Sequence, residues 1–124
     1  MSRKKLNFKI PDRLIHSIIK LQMTTKKFYI GISEIHGSGV IATHKILKEE
    51  SIGEGIIFAL IFFPIVTYDL GVWINHSYKP NASLQWINNA WHIVANEKIN
   101  PDEEITINYS DTPWYIEGPW YYYK

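Results

Sequence analysis

Apolar residues follow two rhythms along this chain. Between Pro11 and Met23, the side chains Leu14, Ile15, Ile18, Ile19 and Met23 recur at helical spacing, with Asp12, Arg13, His16 and Lys20 between them. Pro11 suits a first helical turn, so a short amphipathic helix is expected there. From Lys27 the texture changes to strands. Phe28–Ile32 is aromatic and β-branched, Glu34–Gly39 reads as a turn, and Val40–Ala42 resumes the strand pattern. Lys48–Ser51 makes a second turn, after which Ile52–Phe63 reads as one or two buried strands. Residues 83–87 and 90–95 flank Asn88-Asn89, a hairpin whose turn tolerates positive φ. Asn100-Pro101-Asp102-Glu103 is a tight turn with proline at its second position, and Ile105–Tyr109 is a strand of alternating character. Many short strands and little helix predict a compact, mostly β fold with a short N-terminal helix.

With 124 residues the chain is expected to form one folded unit, and 46% hydrophobic and 15% aromatic residues argue against disorder. The chain has no cysteine, which excludes disulfides, zinc-thiolate sites and thiol catalysis. The histidines lack paired ligand spacing, so no metal site is expected. The apolar run from Gly55 to Val66 is too short for a bilayer and is expected to be broken by Pro64, so no membrane contact is expected. Without a secretory leader pattern, the expected location is intracellular. The net charge of +1 hides an asymmetry. Residues 1–27 carry eight basic side chains against Asp12 alone, and the remainder carries five basic against eleven acidic ones. Residues 1–27 thus read as a basic extension, either a solvated tail or a contact to nucleic acid or an acidic surface, while residues 28–124 form the main domain. The acidic domain favours a cationic substrate.

Chemistry concentrates at Trp73-Ile74-Asn75-His76-Ser77-Tyr78-Lys79-Pro80-Asn81. Leu70, Val72, Trp73 and Ile74 read as a buried segment running into short polar side chains, and Pro80 ends regular structure. Dense hydrogen-bonding capacity beside apolar residues suits a small polar ligand. A turn whose asparagine and serine side chains satisfy their own backbone is the competing reading. Two further stretches occur in fixed order around it: Ile35-His36-Gly37-Ser38-Gly39-Val40-Ile41-Ala42, and Asp102-Glu103-Glu104-Ile105-Thr106-Ile107-Asn108-Tyr109. In isolation, Asp102-Glu103-Glu104 reads as a solvated acidic turn and Tyr109 as an ordinary strand tyrosine.

Together the three stretches resemble the SET domain of protein-lysine methyltransferases, over roughly residues 28–116. The resemblance implies a fold of small β-sheets with a C-terminal pseudoknot that sets the two later motifs side by side. It implies S-adenosylmethionine as cofactor, held by Gly37, Ser38 and Gly39 largely through backbone groups and by Asn75 and His76. It implies a catalytic Tyr109 where the methyl passes to a lysine of a protein substrate. Segments after the last motif complete the lysine channel and cover the adenine in such domains. This makes Trp114 a candidate cofactor contact and Tyr115 a candidate channel residue. Tyr68 is a second channel tyrosine or a packing residue. Asp102 stands where the family's last motif has glycine, and Tyr78 where many relatives have cysteine. The resemblance is thus to minimal, stand-alone, viral-like SET domains that lack a zinc-binding C-terminal segment. Only about Leu60–Gly71 remains for the substrate-shaping insert, so a homodimer or partner is expected to complete the groove. Trp120, Tyr121, Tyr122 and Tyr123 are expected either to belong to that covering segment or to pack on the core or on a second subunit. A non-catalytic SET-like module that binds a peptide or partner is the alternative.

Overall fold

The structure is a computed structural model that describes residues 11–13, 26–60 and 62–116. The described residues form eight strands: β1 (Phe28–Ile32), β2 (Ser38–Ala42), β3 (Ser51–Ala59), β4 (Phe63–Val66), β5 (Asn75–His76), β6 (Ala82–Ile87), β7 (Ala90–Ala95) and β8 (Glu104–Ile107). A 3-10 turn, Tyr109–Asp111, follows the last of them. One sheet has the order β1-β2-β8-β5 and the other β4-β3-β7-β6. Every pairing is antiparallel except β5 with β8, where Asn75 faces Thr106 and His76 faces Ile107.

The core explains why these segments become strands. Val40 and Ile105 face each other across β2 and β8, and both are fully buried. Ile56 on β3 and Ile93 on β7 are buried in the second sheet. Leu70, Ile74 and Ile107 join these side chains in one hydrophobic cluster spanning both sheets. Each such side chain contributes about 1.5–3 kcal/mol on leaving water. A bridge between Ile46 and Ile99, both fully buried, ties together the loops after β2 and β7.

The hairpin of β6 and β7 turns at Asn88 (φ 48°) and Asn89 (φ 64°), the left-handed pair that the Asn-Asn sequence predicts. Asp102, which stands in the place expected of a glycine, also has positive φ (67°), which asparagine and aspartate tolerate best after glycine. Three expectations are corrected. The stretch Ile52–Phe63 is buried at Ile52 and Ile56 but emerges at Leu60, Phe62 and Phe63, which are exposed. The chain reverses there, with Leu60 at φ 50°. Pro64 lies inside β4, which it can do because β4 is an edge strand. Tyr109 does not close a strand. It opens the 3-10 turn, which Asn108 caps by accepting a hydrogen bond from the backbone of Ser110.

Of the expected N-terminal helix, only Asp12 and Arg13 are described, as helical, and Leu14–Met23 lies outside the described residues. So do Arg3, Lys4, Lys5, Lys9 and Lys20 of the basic extension and Trp120–Tyr123 of the tail. Lys27 is described: its ammonium lies 2.9 Å from the Glu50 carboxylate and donates to the Ser51 carbonyl at 2.6 Å. Among the described residues no helix is long and apolar enough to cross a membrane.

The two sheets converge on Asn81, which is buried. Its amide nitrogen donates to the Glu104 carbonyl at 2.9 Å, and its side-chain oxygen accepts from the Thr106 N–H at 2.9 Å. It thereby continues the β5 edge of β8 where backbone pairing stops. Asn81→Ala is expected to leave both backbone groups unpaired and to lower unfolding free energy by about 2–4 kcal/mol, read from urea denaturation. The Glu50 carboxyl is held below its usual range, first by the Leu47 N–H at 3.0 Å and then by Lys27. A depressed folded pKa contributes stability above the ordinary carboxylate pKa that is lost as pH falls through the folded value. Glu50→Gln is therefore expected to be less stable than the parent at neutral pH, with the difference shrinking as acid titration of thermal stability passes below the ordinary carboxylate range and through the folded Glu50 pKa.

Candidate functional site

The turn between β1 and β2 is built around Ser33. Its backbone N–H donates to the Gly37 carbonyl at 2.8 Å, and its hydroxyl oxygen accepts from the N–H groups of Ile35 and His36 at 2.9 and 3.1 Å. This is the serine turn chemistry that tightens a short loop without sheet partners. The Ser33 hydroxyl donates to the Glu104 carboxylate, with its two oxygens at 2.7 and 2.9 Å. Glu104 is half-buried at the start of β8.

Asn75 enters this cluster from β5. Its amide nitrogen lies 3.0 Å from the Ser33 hydroxyl, 3.2 Å from the His36 carbonyl, 3.0 Å from the Ser38 carbonyl and 2.9 Å from the Glu104 carboxylate. One side chain thus latches the β1–β2 turn to the start of β8. The two glycines of the turn serve different ends. Gly37 has φ 49° and open space around it, so only its backbone angle calls for glycine. A Cβ on Gly39 would land on the Glu104 carboxylate and the Asn75 amide, so there it is the missing side chain that matters.

His76 follows Asn75 on β5. Its Nδ1 accepts the Tyr109 N–H at 3.0 Å, which places the proton of the neutral imidazole on Nε2. The ring lies 5.1 Å from the Tyr109 ring and meets the Tyr78 ring edge-on at 4.3 Å. Tyr109 is buried, and its hydroxyl donates to the Ile74 carbonyl at 2.6 Å. Parallel pairing of β5 with β8 therefore carries the polar stretch at 75–81 and the tyrosine after β8 to the same place, the side-by-side arrangement expected of the two later motifs.

A cleft of about 570 Å³ opens at this junction, lined by Ile35, His36, Gly37, Ser38, Val72, Trp73, Asn75, His76 and Tyr109. Of the residues singled out in the sequence, it gathers Gly37, Ser38, Asn75, His76 and Tyr109, with Gly39 packed just behind them. Three others lie outside its lining. Tyr68 is 90% exposed and borders a separate cleft of about 410 Å³ with Glu54, Ile57, Ile65, Val66, Thr67 and Asp69. Tyr115 accepts a hydrogen bond from the Trp91 indole at 2.7 Å and packs edge-on against Phe58. Trp114 is exposed, its ring against that of Tyr115. Of the four apolar residues expected to be buried at 70–74, only Leu70 and Ile74 are. Val72 and Trp73 are exposed and border the cleft, because residues 68–73 turn rather than extend.

Sequence reasoning missed two members of the site, Ser33 and Glu104. Asp102 and Glu103 are exposed, as a solvated turn requires, but Glu104 is not part of that turn. Strand alternation cannot reveal this, since its two partners lie 71 and 29 residues away. Among the described residues no group of three or more histidines, aspartates or glutamates could hold a metal ion.

Residues 65–110 match the family model of the SET domain, a span that includes Asn75, His76 and Tyr109. A crystal structure of a Plasmodium falciparum protein proposed to be a histone methyltransferase matches this chain with a TM-score of 0.57 and 27% identity. The match covers 72% of this chain and 97% of that one. No curated protein matches the chain. The fold is mostly β, built of small sheets, and SET-like.

The differing demands at the two glycines give a direct check. Gly39→Ala is expected to displace the latch and lower unfolding free energy by about 1–3 kcal/mol. Gly37→Ala should cost about 1–2 kcal/mol through its backbone angle and leave the latch in place. Urea denaturation, with amide chemical shifts of Asn75 and Ser33, separates the two.

Proposed function

We propose that this chain transfers a methyl group from S-adenosylmethionine to a lysine side chain of a protein. The observation that carries this reading is the meeting of Asn75, His76 and Tyr109 in one cleft beneath the Gly37-Ser38 turn. The SET-domain match over residues 65–110 and the likeness to the Plasmodium falciparum protein support it.

The residues fit such a cofactor. The cleft's volume falls in the range of small-molecule sites, about 300–1,000 Å³. The backbone of Gly37 and Ser38 borders it without bulky side chains, Asn75 offers amide chemistry, and Trp73 and His76 offer flat apolar faces. When bound, S-adenosylmethionine supplies a methyl group on a positively charged sulfur, which an amine displaces in line.

The protein's task is then alignment and control of a proton. A lysine of ordinary pKa near 10.4 must be neutral to attack, which costs about 4.6 kcal/mol at pH 7. Apolar and aromatic lining disfavours the ammonium by desolvation, so the proton passes to water as the side chain enters. Tyr109 commits its hydroxyl proton to the Ile74 carbonyl, so toward the cleft it acts as an acceptor through its oxygen. An acceptor there orients the N–H bonds of a neutral amine and aims its lone pair. His76 fixes the Tyr109 backbone through Nδ1 and the ring by packing, and so sets where that oxygen sits. Neither residue needs to act as a strong acid or base.

The purified chain incubated with methyl-labelled S-adenosylmethionine and a protein extract should label a protein band, and acid hydrolysis should release methyl-lysine. Absence of label together with absence of cofactor binding by calorimetry would refute the reading. Tyr109→Phe is expected to keep cofactor affinity within about threefold and to cut turnover by roughly tenfold or more. Asn75→Ala is expected to weaken cofactor binding by about tenfold, and normal affinity in a folded variant would remove Asn75 from the site.

A further inference from the structure

Glu104 has no part in the chemistry described above, yet it is the one charged group in the polar cluster behind the cleft. Its carboxylate accepts from Ser33 and from Asn75, and the Ser33 hydroxyl also accepts from Asn75. Donor direction therefore runs one way, from the Asn75 amide to Ser33 and from both to Glu104. The carboxylate and the carbonyls of His36 and Ser38 can only accept, so together they set the sense of the Asn75 amide, and the carboxylate alone sets that of the Ser33 hydroxyl. Turning the Asn75 amide over would point its carbonyl oxygen at four oxygens, one of them charged. With its nitrogen thus engaged, the Asn75 carbonyl oxygen makes no hydrogen bond to any described residue, and Asn75 borders the cleft.

We propose that Glu104 is a positioning residue that, through Ser33, locks the Asn75 amide with its oxygen toward the cleft, and so selects a ligand bearing an ammonium group. The inference rests on the methyl-transfer reading, because the ligand of that reading carries an α-ammonium on its amino-acid end. Without the carboxylate, only the His36 and Ser38 carbonyls still hold the amide in this sense, and the Ser33 hydroxyl, its acceptor lost, can donate to a reversed Asn75 amide. The cleft would then present an N–H where an ammonium needs an oxygen. Gly39 belongs to the same device, since a side chain there would occupy the place of the Glu104 carboxylate.

Calorimetry with two ligands tests this. S-Adenosylhomocysteine carries the ammonium, and 5′-methylthioadenosine has the same nucleoside without the amino-acid end. Glu104→Ala is expected to weaken S-adenosylhomocysteine about tenfold or more, and Glu104→Gln, which keeps one acceptor oxygen, by about threefold. Affinity for 5′-methylthioadenosine should stay within about twofold in both. Equal losses for the two ligands would mark Glu104 as merely structural and overturn the proposal, as would no loss for either. If Glu104→Ala does not fold, Glu104→Gln and Ser33→Ala carry the same comparison. Failure of the parent protein to bind either ligand would instead overturn the methyl-transfer reading, and the selection argument with it.

Discussion

Two parallel residue pairs, Asn75 with Thr106 and His76 with Ile107, hold the site together. A strand of two residues has little stability of its own, and parallel pairing joins segments that no short turn can connect. What stabilises this pairing is further hydrogen bonding to the β8 backbone on either side of it. Asn81 continues the ladder along Glu104 and Thr106, while the Ser77 N–H donates to the Ile107 carbonyl at 2.9 Å. At the other end, the Asn75 amide reaches the turn before β2. The asparagines of the 75–81 stretch thus do different work. Asn81 is a buried structural clamp, and Asn75 faces the cleft while bracing the turn behind it.

The same economy governs the aromatic residues. His76 and Tyr109 are packed on each other, so the placement of these two rings on the cleft wall is set by the hydrogen bond from the Tyr109 backbone to the His76 ring. At the end of the second sheet Phe58, Trp86, Trp91 and Tyr115 form a chain of edge-on contacts, which accounts for Tyr115 as a packing residue in this structure. Tyr68, by contrast, stands in solvent at the start of the turn at 68–73, on the lining of the other cleft. Aromatic identity alone did not separate these cases, because burial depends on partners distant in the chain.

Local chemistry was legible wherever a short-range rule applied. The Asn88-Asn89 hairpin, the strands at 28–32 and 40–42 and the turn at 100–103 follow from residue type and alternation, although β2 begins two residues earlier, at Ser38, inside the stretch that reads as a turn. Legibility failed where a neighbour in space decided. The apolar stretch at 52–63 looks uniformly buried, yet its far end runs past the edge of the sheet and is solvated. Pro64 looks like a breaker, yet an edge strand has a side that needs no N–H donor. Glu104 looks like the last residue of an acidic turn, yet it is the first residue of a strand facing Ser33.

From the sequence by itself came the mostly β class, the hairpins and the ordered set of stretches that resembles a SET domain. These depend on periodicity, turn chemistry and residue identity, all of which are local. The tertiary structure alone decided that Asn75, His76 and Tyr109 share one cleft, that Ser33 and Glu104 stand behind it, and that Trp114, Tyr115 and Tyr68 lie outside its lining. The physical reason is that parallel pairing and side-chain latches act between segments some 30 to 70 residues apart. No local pattern of hydrophobic and polar positions encodes such pairings.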